Sequence, residues 1–395
     1  MRSKLLLLTF PILAIFSLVA ASCGDDDGGG VRDLNSSSNS ASSGSSSASG
    51  SSSASASSSA SASSPASASS SASASSAAEV VADTTPGDGG YEYASNVDSH
   101  RLVVADICDI NDALGEYNWA AALEIYENGK NSVKSSGSVR TIGGFAAAEG
   151  KGHGFDTFYG TPTPLDDFVQ AALGGTGAFA GQSDGVRKQG AQKGIMNQTM
   201  IAWVVHELAS ANAKAADGNF DAAEGAPHNW DEGWAFYRGS DSGCSPFGTA
   251  NKRAKDFGTL GTDGETAIAN EAILSAMVAG RDALLSEDAA GAESATMEVI
   301  KNVAVIYSQA TIKYATKVNS DLADGDAEAA KIHQAEGFAF WRVIEPLLGA
   351  ADADAINAIL DIANEPGSGG GAEIRTALQP AWTALGITAD DIGTY

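Results

Sequence analysis

The heptapeptide EGWAFYR that starts at Glu232 recurs as EGFAFWR starting at Glu336. Wound as a helix, the first copy sets Phe236 beside His228 and Glu232, with Trp234 and Tyr237 opposite. The second sets Phe340 beside Glu336, with Phe338 and Trp341 opposite. A helix that is apolar nearly all round has to be buried, so the chain must supply enough further helices to cover two of them. Gly233 and Gly337 weaken their helices and are tolerable where another backbone passes close. Each copy follows a long amphipathic segment that ends in Ala-Asp-Gly, at Ala216 and at Ala323. Such self-similarity predicts a duplicated helical unit, about 186–260 and about 297–363.

The remaining pattern agrees. Met297, Ile300, Val303, Tyr307, Ala310 and Tyr314 fall on one helical face. Residues 102–126 read as one or two helices broken near Gly115. Residues 186–213, 265–285 and 353–363 read as helices, and convincing alternating strands are scarce. The expected fold class is all-α: duplicated helical-bundle repeats with long loops, the aromatic stretch 143–164 being one such loop.

Ahead of this lies a different kind of chain. Arg2 and Lys4, an apolar run over 5–19 and the small residues before Cys23 describe a secretory signal, too short for a good spanning helix. Cys23 directly after small residues resembles a bacterial lipoprotein signal. That implies cleavage after residue 22 and a lipid on the Cys23 sulfur, and Gly24 in place of Asp favours the outer membrane. A Ser/Ala tract over 35–78 cannot bury enough apolar surface to order itself. Residues 23–90 are therefore expected to be a disordered tether, with the folded domain over 91–395.

A net charge of −26 argues against nucleic acid or an anionic membrane surface as partner; it also suits a salt-adapted host. Cys108 and Cys244 could form one disulfide, and sequence cannot show that they meet. The absence of any CxxC argues against iron–sulfur clusters and c-type haem.

A buried carboxylate needs a partner. Arg238 and Arg342, six residues after their glutamates, point elsewhere. Glu232 and Glu336 could brace neighbouring helices or pair with distant arginines. They could also form two His/Glu sets, His228 with Glu232 and His333 with Glu336, facing one another across a pseudo-twofold centre. Histidine three or four residues before Glu shares its face and can chelate a cation. Carboxylate, imidazole and phenolate suit iron, manganese or zinc better than copper(I). His206 and Tyr314, at matched places on the preceding helices, are further ligand candidates; His206 reads equally as core, and Tyr314 reads more readily as core than as ligand. His153 could close the site as a lid; His100 reads as a linker residue.

YNWAAALEIYENGKNS at Tyr117, FYGTPTPLDDF at Phe158, HNWDEGWAFYRG at His228 and ANKRAKDFG at Ala250 resemble the Fe-assimilating, low-iron-inducible periplasmic proteins of algae. Phytotransferrins and bacterial lipoproteins are related to these. The resemblance implies surface binding of iron, ferric more than ferrous, with a synergistic anion such as carbonate. Arg253 could hold that anion or be a surface charge. HQAE at His333 is similar to the HxxE motif of imelysin-type proteins, some described as metallopeptidases, but the first copy spaces the pair as HxxxE. HELAS at His206 has Ser210 where a zinc peptidase needs its second histidine. The expectation is a lipid-anchored cell-envelope protein, not an enzyme, that captures iron and passes it to a transporter. The alternative is a structural or partner-binding surface lipoprotein.

Overall fold

The computed structural model describes residues 31–32, 87–367 and 369–395, and there the helix signals become helices. They are α1 (Asp98–Arg101), α2 (Val103–Gly115), α3 (Trp119–Asn128), α4 (Ile142–Ala146), α5 (Phe155–Tyr159), α6 (Pro164–Gly174), α7 (Asp184–Lys193), α8 (Met200–Ala216), α9 (Ala226–Tyr237), α10 (Pro246–Phe257), α11 (Ile268–Leu285), α12 (Ala289–Asp324), α13 (Ala327–Ile344), α14 (Ala353–Leu360), α15 (Gly371–Leu385) and α16 (Ala389–Ile392). The fold is all-α. Among the described residues one two-stranded sheet occurs, with β1 (Val31–Arg32) antiparallel to β2 (Val139–Arg140). No helix among the described residues is long and apolar enough to cross a membrane. The signal segment, Cys23 and the Ser/Ala tract lie outside the described residues.

Two boundaries differ from expectation. The packed domain includes residues before Tyr91: Asp88 is buried, ion-paired to Arg101 at 2.6 Å, and accepts from the Tyr93 hydroxyl. The stretch 143–164 is not all loop, since α4 and α5 fall within or across it. Thr141 caps α4 by accepting the Gly144 N–H.

Both heptapeptide copies sit on buried helices, α9 and α13. Trp230, Trp234 and Trp341 are fully enclosed. Each indole N–H has an acceptor, the Met277 carbonyl, the Asp88 carbonyl and the Asn357 amide oxygen respectively, as buried donors require. The motif glycines answer to side chains rather than to a passing backbone. A methyl on Gly337 would come within 2.8 Å of Leu360 and 3.0 Å of the Tyr314 Cβ, whereas Gly233 has ordinary contact room, Leu208 at 3.4 Å.

The long helix expected over 186–213 is interrupted. Residues Gly194–Thr199 form a π turn between α7 and α8, and the Thr199 hydroxyl donates to the Gly194 carbonyl. Inserting a residue into a helix rotates everything beyond it. Here α7 packs on α13 and α8 on α9, so one composite helix serves both motif helices. On α12, 36 residues long, Asp288 caps the start, and Gly325 at φ +78° ends it. Asp326 then caps α13. Cys108 on α2 is disulfide-bonded to Cys244, Cα–Cα 5.3 Å.

Candidate metal centre

Pro227 stands in the first turn of α9, where its missing N–H is not needed. One turn on, Asp231 is wholly buried and accepts four hydrogen bonds: from the Tyr91 hydroxyl (2.6 Å), from the backbone N–H groups of Ala94 and Ser95 (both 2.8 Å) and from the Ser95 hydroxyl (2.7 Å). It thereby fixes the chain over 91–95 against α9 and brings α1 over the next residue, Glu232.

Glu232 Oε1 lies 3.0 Å from His100 Nε2 and 3.2 Å from His228 Nε2. His228 is the candidate the spacing singled out; His100 is the one it missed. His100 is no linker residue: it is buried on α1, its ring edge-on to Phe236. Burial holds the His100 imidazole below its ordinary range against the pull of Glu232. Burial also opposes charging of His228, but the hydrogen bond and charge of Glu232 prevail and raise it. Desolvation would raise the Glu232 carboxyl; His100 and His228 hold it well down.

Proton counting identifies what this trio needs. The Ser95 hydroxyl gives its one proton to Asp231, so toward His228 Nδ1, 3.0 Å away, it can only accept. His228 Nδ1 therefore carries a hydrogen. Its Nε2 then meets the carboxylate as a lone pair unless a proton or another cation stands between them. A histidine oriented through Nδ1–H toward a carboxylate system is the usual outer shell of a metal ligand. Ligand bonds of about 2.1 Å place adjacent donors roughly 3.0–3.4 Å apart, and both edges to Glu232 match. The imidazole–imidazole edge is longer. Among the described residues only Cys108, Asp241 and Cys244 have all ligand atoms within 4.8 Å of one another, and two of those are a disulfide. Ring rotation would have to close that edge around an ion.

Two more histidines stand close by. His206 on α8 is near enough for the Glu232 charge to act on it, and His153 near enough to act on His206. His206 Nδ1 accepts the Gly152 N–H at 3.2 Å and His153 Nδ1 accepts the Phe155 N–H at 3.1 Å. Each neutral ring thus keeps its proton on Nε2, and both Nε2 atoms are buried without a partner. Burial depresses His153 to about 4; burial, Lys151 and His153 depress His206 to about 3. His153 is packed at 3% exposure rather than poised as a lid. Asn229 links two acids, donating to Glu207 at 2.7 Å and, at 3.5 Å, to Glu232.

The second motif copy is wired differently. Glu336 pairs with Lys193 at 3.2 Å. Tyr314 accepts from Arg253 at 3.0 Å, and burial followed by Glu336 raises its hydroxyl. Arg253 also reaches Asp256 at 3.1 Å, and Asp256 pairs with Lys313 at 2.7 Å. His333 turns away from Glu336: its Nδ1 meets Asp321 Oδ2 at 2.5 Å and its ring stacks on Tyr314. Lys252, exposed, is lowered by desolvation and by Lys193 and Arg253. Thus His228, Glu232 and His206 share one neighbourhood, while Glu336, Tyr314, His333 and Arg253 share another. Among the described residues no hydrogen bond or ion pair joins the two sets.

The family model for the low iron-inducible periplasmic protein, Fea1, matches residues 67–395. The chain belongs to this family. No curated protein and no solved structure matches it. The family description places its members in the periplasm and ties them to low iron, in keeping with a donor cluster built from imidazole and carboxylate.

Proposed function

We propose that the protein binds iron in the cell envelope and holds it for uptake, with His100, His228 and Glu232 as the binding atoms. The observation that carries this is the meeting of two imidazole nitrogens, His100 Nε2 at 3.0 Å and His228 Nε2 at 3.2 Å, on one buried carboxylate oxygen, Glu232 Oε1. The low-iron family supports iron over other metals. Cys23 anchors the chain through its lipid, and an iron transporter receives the metal; the pairing of Val31–Arg32 with Val139–Arg140 leaves only the residues between Cys23 and Val31 to space the domain from the membrane. A synergistic anion such as carbonate is part of this proposal. The buried Nε2–H groups of His153 and His206 offer it two donors, whereas Arg253 is occupied by Tyr314 and Asp256. Glu336, neutralised by Lys193, favours a structural role for the second copy.

The test is iron titration of the purified chain with bound metal counted. Glu232→Ala should abolish stoichiometric iron and Glu336→Ala should keep it. Equal iron in the parent and in Glu232→Ala would remove the site. Replacing Cys23 by Ser should release the protein from the membrane fraction.

A further inference from the structure

Around the second motif copy the spare groups are donors, not acceptors. We propose that this copy forms an oxyanion site, with Lys252 and Lys193 as its donors and Arg253 as a buried charge behind them. The ligand carries clustered anionic oxygens: a free oxyanion of the phosphate or sulfate type, or the carboxylates of an organic acid. The site does not depend on iron binding and is separate from the anion placed at His153 and His206.

A count of donors and acceptors leads to it. Tyr314 accepts from Arg253 and donates to Glu336, and Glu336 also receives Lys193 at 3.2 Å. Asp256 is shared between Arg253 at 3.1 Å and Lys313 at 2.7 Å. Asp321 is taken by His333. Each carboxylate of the neighbourhood is thus engaged, and donors remain. Arg253 is 6% exposed, and its Nε lies buried without an acceptor, a costly state for a buried donor. Lys193 has one carboxylate contact, whereas an ammonium has three donors. Lys252, at the surface, has no acid acting on it: partial desolvation, Lys193 and Arg253 all oppose its charge.

Geometry gathers these cations. Lys252 and Arg253 are consecutive on α10. Lys193 Nζ lies 5.8 Å and Arg253 Cζ 6.0 Å from the centre of the same Phe340 ring, which stacks on Tyr314. Lys193 is the last residue of α7 before the π turn, an irregularity that recurs at functional sites. The contacts connect four cations, Lys193, Lys252, Arg253 and Lys313, and three carboxylates, Glu336, Asp256 and Asp321, whatever the charge on His333. In a chain with 49 acids against 23 lysines and arginines, a local excess of cations reverses the surrounding field and concentrates anions. Lysine tips at the rim bind an oxyanion as point charges, without demanding one planar geometry.

The experiment titrates the full chain, stripped of metal and of chelator, by calorimetry in Tris chloride at low ionic strength. Phosphate, sulfate and citrate are separate probes. A free oxyanion predicts one phosphate or sulfate per chain, weakened by added salt. Citrate binding with phosphate and sulfate left free would instead identify the ligand as an organic acid. Lys252→Ala should weaken the bound probe about tenfold or more, and Lys252→Glu should abolish binding. Both should keep the parent's melting temperature, because no acid in the fold pairs with Lys252. Lys252→Arg should stay within about threefold of the parent. Lys193→Met strands Glu336, so it is made together with Glu336→Gln, and that chain should also weaken the probe about tenfold or more. Binding of none of the three probes would overturn the proposal, and so would binding that Lys252→Glu leaves unchanged. Iron counted on the Lys252→Glu chain should equal the parent's, so the oxyanion site and the iron site fail separately.

Discussion

Acid should weaken this protein through two histidines in particular. Burial depresses His153 to about 4 and, with Lys151 and His153 adding, His206 to about 3, from an ordinary value near 6.5. In the unfolded chain both rings take a proton as pH falls through 6.5, while in the folded protein they do not. The stability they contribute is therefore present above 6.5 and is lost as pH falls toward the folded values. Between pH 7 and pH 5.5 each ring accounts for about 1.2 kcal/mol, or about 2.4 kcal/mol together. That magnitude barely depends on how far each ring is depressed, provided it stays below about 5. His100, also lowered, acts in the same direction; His228, raised, opposes it only near neutrality. The assay is denaturant unfolding followed by tryptophan fluorescence in chelator at both pH values. His206→Gln should lose about 1.2 kcal/mol less than the parent over the same interval, a difference that subtracts out carboxylates titrating nearby. Parent and variant losing equal stability would refute the claim that His206 is held neutral by burial.

Other outcomes follow from packing and connectivity. A methyl on Gly280 would lie 1.9 Å from the fully buried Trp230 ring. Gly280→Ala should therefore destabilise by about 1–3 kcal/mol from overpacking, less up to about 1 kcal/mol of helix propensity, read as a lower melting temperature. Asp231→Asn keeps one acceptor oxygen and turns the other into an NH2 that opposes either the Tyr91 hydroxyl or the Ala94 and Ser95 donors. It should lower both thermal stability and, about tenfold or more, metal affinity by isothermal titration. Replacing Cys108 and Cys244 by serine opens a link across 136 residues of sequence and should reduce the unfolding free energy by about 3–5 kcal/mol.

Helix and burial were legible because they depend on spacing along the chain: the all-round apolar motif led directly to α9 and α13. The π turn at Gly194–Thr199 was not, since nothing in the 3.6 period of 186–213 marks one inserted residue. The site divided along the same line. His228 and Glu232 share one helix and are visible as a pair, whereas His100 meets Glu232 from far upstream in sequence. Near-identical letters in the two motif copies also concealed different chemistry. Glu232 and Glu336 differ in what faces them from other elements, histidines against Lys193. A weak clue was available: four of the chain's five histidines (His100, His153, His206 and His228) converge here, and scarce residues that gather in space are seldom there for packing alone.

The link between Cys108 and Cys244 encloses His153, His206, His228 and Glu232 within one covalent ring of chain, and leaves His100 just outside, eight residues before the closure. While the sulfurs are thiols, as in a reducing cytosol, that outer arm is held against the ring by non-covalent contacts alone, chief among them the hydrogen bonds of Asp231 to Tyr91, Ala94 and Ser95. Oxidation on export fastens α2 in place, and with it the short segment that carries His100. On the iron-binding reading proposed above, oxidation of the thiols and assembly of the His100 contact with Glu232 are thereby coupled in time.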